Sequence, residues 1–176
     1  MNAVSDPTGW RVREAGDEDA PALSLIGSAT FLETFAGILD GDAVVAHCAA
    51  AHSPEAYRRY MEGGARAWLA GADLGGAPVG FALLGAPDLP GAREGDVELK
   101  RIYALSRFHG SGVGSALLDA ALEAARAGFK RLLLGVYAGN HRAIAFYAKH
   151  GFVKIADRRF DVGGTLYDDI VHARPL

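Results

Sequence analysis

The sequence predicts an α/β fold with antiparallel hairpins towards both ends of the chain and a β-α-β unit between them. Three observations carry that expectation. Gly75-Gly76-Ala77-Pro78 separates two strand-like runs, Ala65 to Ala70 and Val79 to Leu84, closely enough for a hairpin. Gly163-Gly164 does the same between Phe152 to Phe160 and Thr165 to His172, and paired glycines suit a tight hairpin turn. Between these pairs lie an extended run (Asp96 to Leu105), an Ala/Leu-rich helical run (Gly112 to Ala127) and a second extended run (Lys130 to Tyr137). At 176 residues the chain fits one domain, long enough to bury a core without staples.

The remaining elements follow in order. Gly9 to Glu14 alternates as a first strand. Asp17-Glu18-Asp19 offers a helix cap and an acidic first turn ahead of Leu23, Ile26, Phe31 and Phe35, whose spacing is roughly helical. Asp42 to His52 is a second helical stretch. Ser53-Pro54-Glu55 then reads as an N-cap, a proline at the first helical position and an acidic early turn. A Pro/Gly-rich turn, Pro87 to Gly95, leads into the strand at Asp96, and Gly128 closes the helix that follows it. Leu132-Leu133-Leu134 marks a buried strand, and Asn140 to His150 is a helix stopped by Gly151.

Composition narrows the function classes. Half of the residues are hydrophobic, 22% are charged and the net charge is -3, which weighs against a nucleic-acid partner or an anionic membrane. No apolar run reaches the roughly 18 residues needed to span a bilayer. Met1 to Pro7 has neither a basic cluster nor an apolar run, so a cytoplasmic enzyme is the expectation. The single cysteine, Cys48, excludes an internal disulfide and reads as a small buried hydrophobe. His47, Cys48 and His52 lack the spacing of a metal site and read as surface or substrate-lining residues; no metal is expected. Lys100, Arg101 and Arg158-Arg159 read as solvated faces.

The junction Arg107-Phe108-His109-Gly110-Ser111-Gly112-Val113-Gly114-Ser115-Ala116 joins a strand to a helix. Glycines there let backbone N–H groups approach an anion, the helix N-terminus favours negative charge, and Arg107 adds a cation. A P-loop would need a lysine after the glycines, and none follows. A dinucleotide fold would need a glycine at the sixth position and an acid about 20 residues on. Ser115 or Leu117 stands at that position, and Leu132 to Tyr137 holds no acid. The same absence weighs against a methyltransferase using S-adenosylmethionine.

Three segments together resemble the GCN5-related N-acetyltransferases, the GNAT superfamily. They are Glu98-Leu99-Lys100-Arg101-Ile102-Tyr103-Ala104-Leu105, the loop His109 to Gly114, and Asn140-His141-Arg142-Ala143-Ile144-Ala145-Phe146-Tyr147 with Gly151-Phe152. The resemblance implies a single acetyltransferase domain over residues 1–176. Its mixed, mostly antiparallel sheet would carry helices on both faces, with the central strands splayed around acetyl-CoA as cosubstrate. It implies backbone contacts from Ile102, Tyr103 and Ala104 to the pantetheine arm. A pyrophosphate cradle would be formed by His109, Gly110, Ser111, Gly112, Val113, Gly114 and Ser115, with a further contact from Asn140. His109 departs from the Gln or Arg common at its position, which puts that one side-chain contact in doubt.

The chemistry needs a neutral amine, a donor for the developing oxyanion and a proton for the departing thiolate. By resemblance Glu98 is the base, with Asp96 as its rival on the same strand face and water as a third route. Tyr147 aligns with the family's general acid, although its helix pattern also allows a core aromatic beside Phe146. A backbone N–H on Ile102 to Ala104 would serve the oxyanion. The implied acceptor is a primary amine of a small molecule, such as a polyamine or an amino acid, attacking directly within a ternary complex; a homodimer is left open. Thr30 to Phe35 resembles a branch with polyamine acetyltransferases, where Glu33 would receive a cation. Two other readings stand beside this one, a non-catalytic CoA-binding sensor on the same fold and an acetyltransferase of protein N-termini or lysines.

Overall fold

The computed structural model describes residues 9–176, so the reading made on Met1 to Pro7 lies outside the described residues. Seven strands form one sheet: β1 (Trp10–Ala15), β2 (Arg66–Ala72), β3 (Pro78–Gly85), β4 (Asp96–Ala104), β5 (Arg131–Tyr137), β6 (Val153–Val162) and β7 (Thr165–Pro175). Their order is β1-β2-β3-β4-β5-β7-β6, antiparallel throughout except for the parallel pair β4–β5. Five helices accompany them: α1 (Ala20–Phe35), α2 (Gly41–Ala51), α3 (Pro54–Glu62), α4 (Val113–Arg126) and α5 (His141–Lys149).

The expected hairpins both form. At the β6–β7 turn Gly163 and Gly164 have φ of 63° and 85°, the paired left-handed conformation that only glycine adopts without strain. Helix starts follow their caps. Ser53 accepts from the Ala56 N–H at 3.1 Å, as its sequence position suggested. The second helix begins one residue earlier than expected, at Gly41, capped by Asp40, which accepts from the Ala43 N–H at 3.0 Å. Asp17 to Asp19 form a short 3-10 turn ahead of α1. There Asp19 accepts from the Gly16 N–H at 3.0 Å and meets Arg13 through two oxygens at 2.6 and 2.7 Å, and its side chain does not cap α1.

Helices cover both faces of the sheet. On one face α4 and α5 bury Val113, Leu117, Leu118, Ala121 and Tyr147 against Val97, Leu99, Leu132 and Leu134. On the other, α1 and α3 bury Leu23, Ile26 and Tyr57 against Leu69, Phe81 and Leu83. Gly27 permits that packing, since a Cβ there would overlap the Tyr57 hydroxyl and the His52 ring.

Two irregularities position the site. First, β4 and β5 pair only at Asp96–Arg131, Val97–Leu132 and Glu98–Leu133; beyond that point the strands part. Second, β4 carries a bulge against β3. Leu84 is opposite Leu99 and Leu83 opposite Arg101, so Lys100 has no partner. The extra residue reverses which side chains face α4: Val97 and Leu99 do so before the bulge, Ile102 and Ala104 after it. Glu98, Arg101 and Tyr103 therefore share the opposite face.

Candidate active site

The parting of β4 and β5 opens a cleft of about 720 Å³. Glu98, Ile102, Tyr103, Ala104, His109, Gly110, Gly112, Val113, Gly114, Ser115, Asn140 and Tyr147 all line it, which brings together the sequence-derived site residues with one exception. Ser111 is turned away. Its hydroxyl donates to the Phe108 carbonyl at 2.7 Å and accepts from the Trp10 indole at 3.0 Å, tying the glycine loop to β1.

One end of the cleft is built from backbone. Gly110 and Gly112 have φ of 80° and 89°, and Gly112 is the N-cap of α4, whose first N–H groups have no partner within the helix. Gly114 has no such φ, and a Cβ there would meet the Phe146 ring only at an ordinary 3.7 Å. Ile102, Tyr103 and Ala104 pair with β3 on one edge and leave the other edge open to the fork. The expected cation is corrected here: Arg107 is exposed and lies over the Phe108 ring, 5.5 Å from its centroid, whereas Arg142 and Lys149 from α5 line the cleft. His109 places Nε2 at 2.9 Å from the Ala104 carbonyl and 3.2 Å from Arg142 Nη1; a single nitrogen serves one of these at a time, according to tautomer. Asn140 Oδ1 caps α5 by accepting from the Ala143 N–H at 3.1 Å. Ser115 Oγ lies 3.3 Å from His150 Nε2.

At the fork, Glu98 is buried and occupies the last paired position of β4. Its Oε2 accepts from the Asp88 N–H at 2.9 Å and from Lys100 Nζ at 3.0 Å, and Lys100 reaches Asp88 at 2.9 Å. Desolvation raises the Glu98 carboxyl above the usual carboxylate range, against the pull of the Asp88 N–H and Lys100. Asp96, its rival, is engaged elsewhere. Arg131 holds it through two bonds of 3.0 and 2.6 Å, the Arg93 N–H adds another at 2.7 Å, and these bonds depress its pKa. It does not line the cleft. Tyr147 is buried, and desolvation, reinforced by nearby Tyr103, raises its phenol well above the ordinary value.

The other end is built from side chains of α1, α2, α3, β6 and β7. Phe31, Phe35, Leu39, Phe160, Val162 and Tyr167 give it an apolar wall. His47 stacks on Phe31 at 4.3 Å between centroids. His52 is buried with Nδ1 at 2.8 Å from the Tyr57 hydroxyl; burial first, then Arg101 and His47, push its pKa down to about 3, while burial pushes Tyr57 up to about 12. The pair is thus a neutral imidazole and a protonated phenol. Asp169 is paired with Arg158 at 2.6 Å. Glu33 lies outside this wall, bound to the Ser106 N–H at 2.9 Å and hydroxyl at 2.6 Å, so its carboxylate is engaged in holding the chain before the glycine loop.

Three basic residues read from sequence as solvated are not: Arg158, paired with Asp169 and with its side chain 24% exposed, and two residues of β4. Lys100 sits at the bulge with its side chain 10% exposed. Arg101 projects over the rings of Tyr57 and Tyr60, 5.1 and 5.4 Å from their centroids, and its Nη1 is buried without a hydrogen-bond partner. Only a bulge could bring Arg101 to this face, and nothing in the local sequence marks one. Arg159, by contrast, is exposed as expected, its side chain 71% accessible.

A strand fork beside a glycine-lined helix N-terminus, with a buried carboxylate and phenol at the branch, defines an acyl-CoA-dependent N-acyltransferase. Residues 32–152 match the acetyltransferase (GNAT) family, and the chain belongs to that family. Acetyl-CoA is its cosubstrate. Uncharacterized N-acetyltransferases of Mycobacterium tuberculosis and Mycobacterium bovis are 33% identical to it over 159 residues, 90% of this chain and 98% of theirs. In fold the chain resembles the paiA N-acetyltransferase of Thermoplasma acidophilum, solved in complex with coenzyme A (TM-score 0.76, 21% identity, 96% of this chain and 99% of that one). It also resembles a ribosomal-protein-alanine N-acetyltransferase of Brucella melitensis (TM-score 0.71, 26% identity, 94% and 99%). Among the described residues no helix is long and apolar enough to cross a membrane, and no group of three or more His, Cys, Asp or Glu could hold a metal ion.

Proposed function

We propose that this chain, acting as one domain, acetylates the primary amine of a small molecule by direct attack within a ternary complex. The observation that carries the proposal is the meeting of Glu98 and Tyr147 in one cleft at the fork of β4 and β5, with the open edge of β4 alongside. The cosubstrate supplies an acetyl thioester. The backbone of Ile102 to Ala104 would hold its pantetheine arm as an added strand, and the N–H groups from Gly110 to Ser115, with Arg142 and Lys149 near, would hold its phosphates.

The remaining steps belong to the chain's own groups. Glu98, whose carboxyl burial raises against the pull of Lys100 and the Asp88 N–H, takes a proton from the incoming ammonium, directly or through water. A backbone N–H of β4 donates to the developing oxyanion. Tyr147, kept protonated by burial, gives its phenol proton to the departing sulfur as the C–N bond replaces the C–S bond, and the second proton shed by the acylated nitrogen restores the phenol through water. Release of CoA thiol across a panel of small amines, with thermal stabilisation by acetyl-CoA measured in parallel, tests this reading. Stabilisation with amine-dependent release is expected; stabilisation with no release from any amine would overturn it.

A further inference from the structure

We infer that the acceptor amine carries a carboxylate, bound by Arg101, so that the substrate class is amino-acid-like rather than polyamine. This rests on the small-molecule reading above and deepens it. Five charged side chains line the acceptor end besides Arg101, two cations and three acids, and every one of them is paired: Lys100 with both Asp88 and Glu98, Arg158 with Asp169. Of these six acceptor-end charges Arg101 is the one with no acidic partner among the described residues, although it lines the cleft and its Nη1 is buried. A buried guanidinium nitrogen without an acceptor is costly unless a ligand supplies one, and a carboxylate matches its planar fork. Its neighbours are Tyr57, Tyr60, His47 and His52, none of them anionic, and the apolar wall of Phe31 and Phe160 strengthens any ion pair made there.

The bulge adds a geometric argument. It turns Arg101 onto the same face of β4 as Glu98, three residues apart along one strand. A small molecule can then present its amine to Glu98 and its carboxylate to Arg101. A polyamine would need a free acid in this wall, and each acid that lines it is already engaged by a cation.

The test is kcat/KM at saturating acetyl-CoA for matched amines: L-amino acids with apolar and aromatic side chains, glycine and 4-aminobutyrate, set against their amides, their decarboxylated counterparts, spermidine and a short peptide with a free N-terminus. At least one carboxylated amine should exceed its amide and decarboxylated partners by about 30- to 100-fold. Arg101→Gln should remove that margin mainly through KM, Arg101→Lys should restore part of it, and Arg101→Glu should shift preference towards spermidine. Thermal melting confirms that each variant is folded, and Arg101→Lys keeps the test informative if Arg101→Gln is not. Wild-type preference for spermidine, the decarboxylated amines or the peptide would overturn the inference and leave the acetyltransferase reading standing. No turnover in any arm would overturn both.

Discussion

The two ends of the cleft are made in different ways. The end assigned to the cosubstrate is backbone: positive-φ glycines, a helix N-terminus and an open strand edge, all within residues 98–115. The acceptor end is side chain, gathered from α1, α2, α3, β6 and β7 around one bulged residue of β4. Backbone sites tolerate most side-chain changes but not a change of backbone conformation. Side-chain sites behave the other way, which makes the second end free to change its substrate while the first stays fixed.

That contrast is sharpest where the ends meet. Tyr147→Phe keeps the ring that packs beside Phe146 and Phe152 and removes only the hydroxyl. We expect kcat to fall about 10²-fold with acetyl-CoA affinity nearly unchanged, measured with chemistry rate-limiting. Wild-type turnover would return Tyr147 to a packing role. The backbone end is broken next. Gly112→Val places a β-branched residue at a φ of 89°, and we expect at least about a tenfold loss of CoA affinity by calorimetry. Gly114→Ala, at an ordinary backbone conformation, should fold normally, and a folded Gly112→Val with unchanged affinity would refute the cradle.

The smallest effect belongs to the acceptor end. Folded His52 takes a proton only near pH 3, whereas the unfolded side chain does so near its usual 6.5. Below pH 6.5 the unfolded state therefore binds more protons, and stability falls as pH drops towards 3, by at most about 1.4 kcal/mol per pH unit from this group. Urea melts of His52→Asn between pH 7 and 4 should show a shallower fall than wild type. Equal slopes would mean that burial of His52 has no such effect.

The backbone end was legible in the sequence because its parts are contiguous: Gly110, Gly112 and Gly114 at a strand-to-helix junction, then Asn140 and Tyr147 on the next helix. The acceptor end was not. Arg101 reads as a solvated charge because strand alternation says nothing about an inserted residue, and Arg107 reads as the cation of the loop although Arg142 and Lys149, 35 or more residues away, line the cleft and it does not. Asp96 and Glu98 share one face by period two, so alternation could not separate them. Arg131, on another strand, does so by engaging Asp96. Glu33 could be read as a substrate acid only until Ser106 was seen to bind it.

The proton path at the fork is the central claim, and the pH profile of kcat/KM with Glu98→Gln tests it most directly. The wild-type acid limb should carry an inflection above the ordinary carboxylate range, since burial raises Glu98, and Lys100→Met should move it higher by removing the cation that favours the ionised form. Glu98→Gln should lose that inflection and about 10²-fold in rate while binding acetyl-CoA as wild type does. An unchanged profile and rate in a folded Glu98→Gln would contradict the account and leave water as the route for the proton.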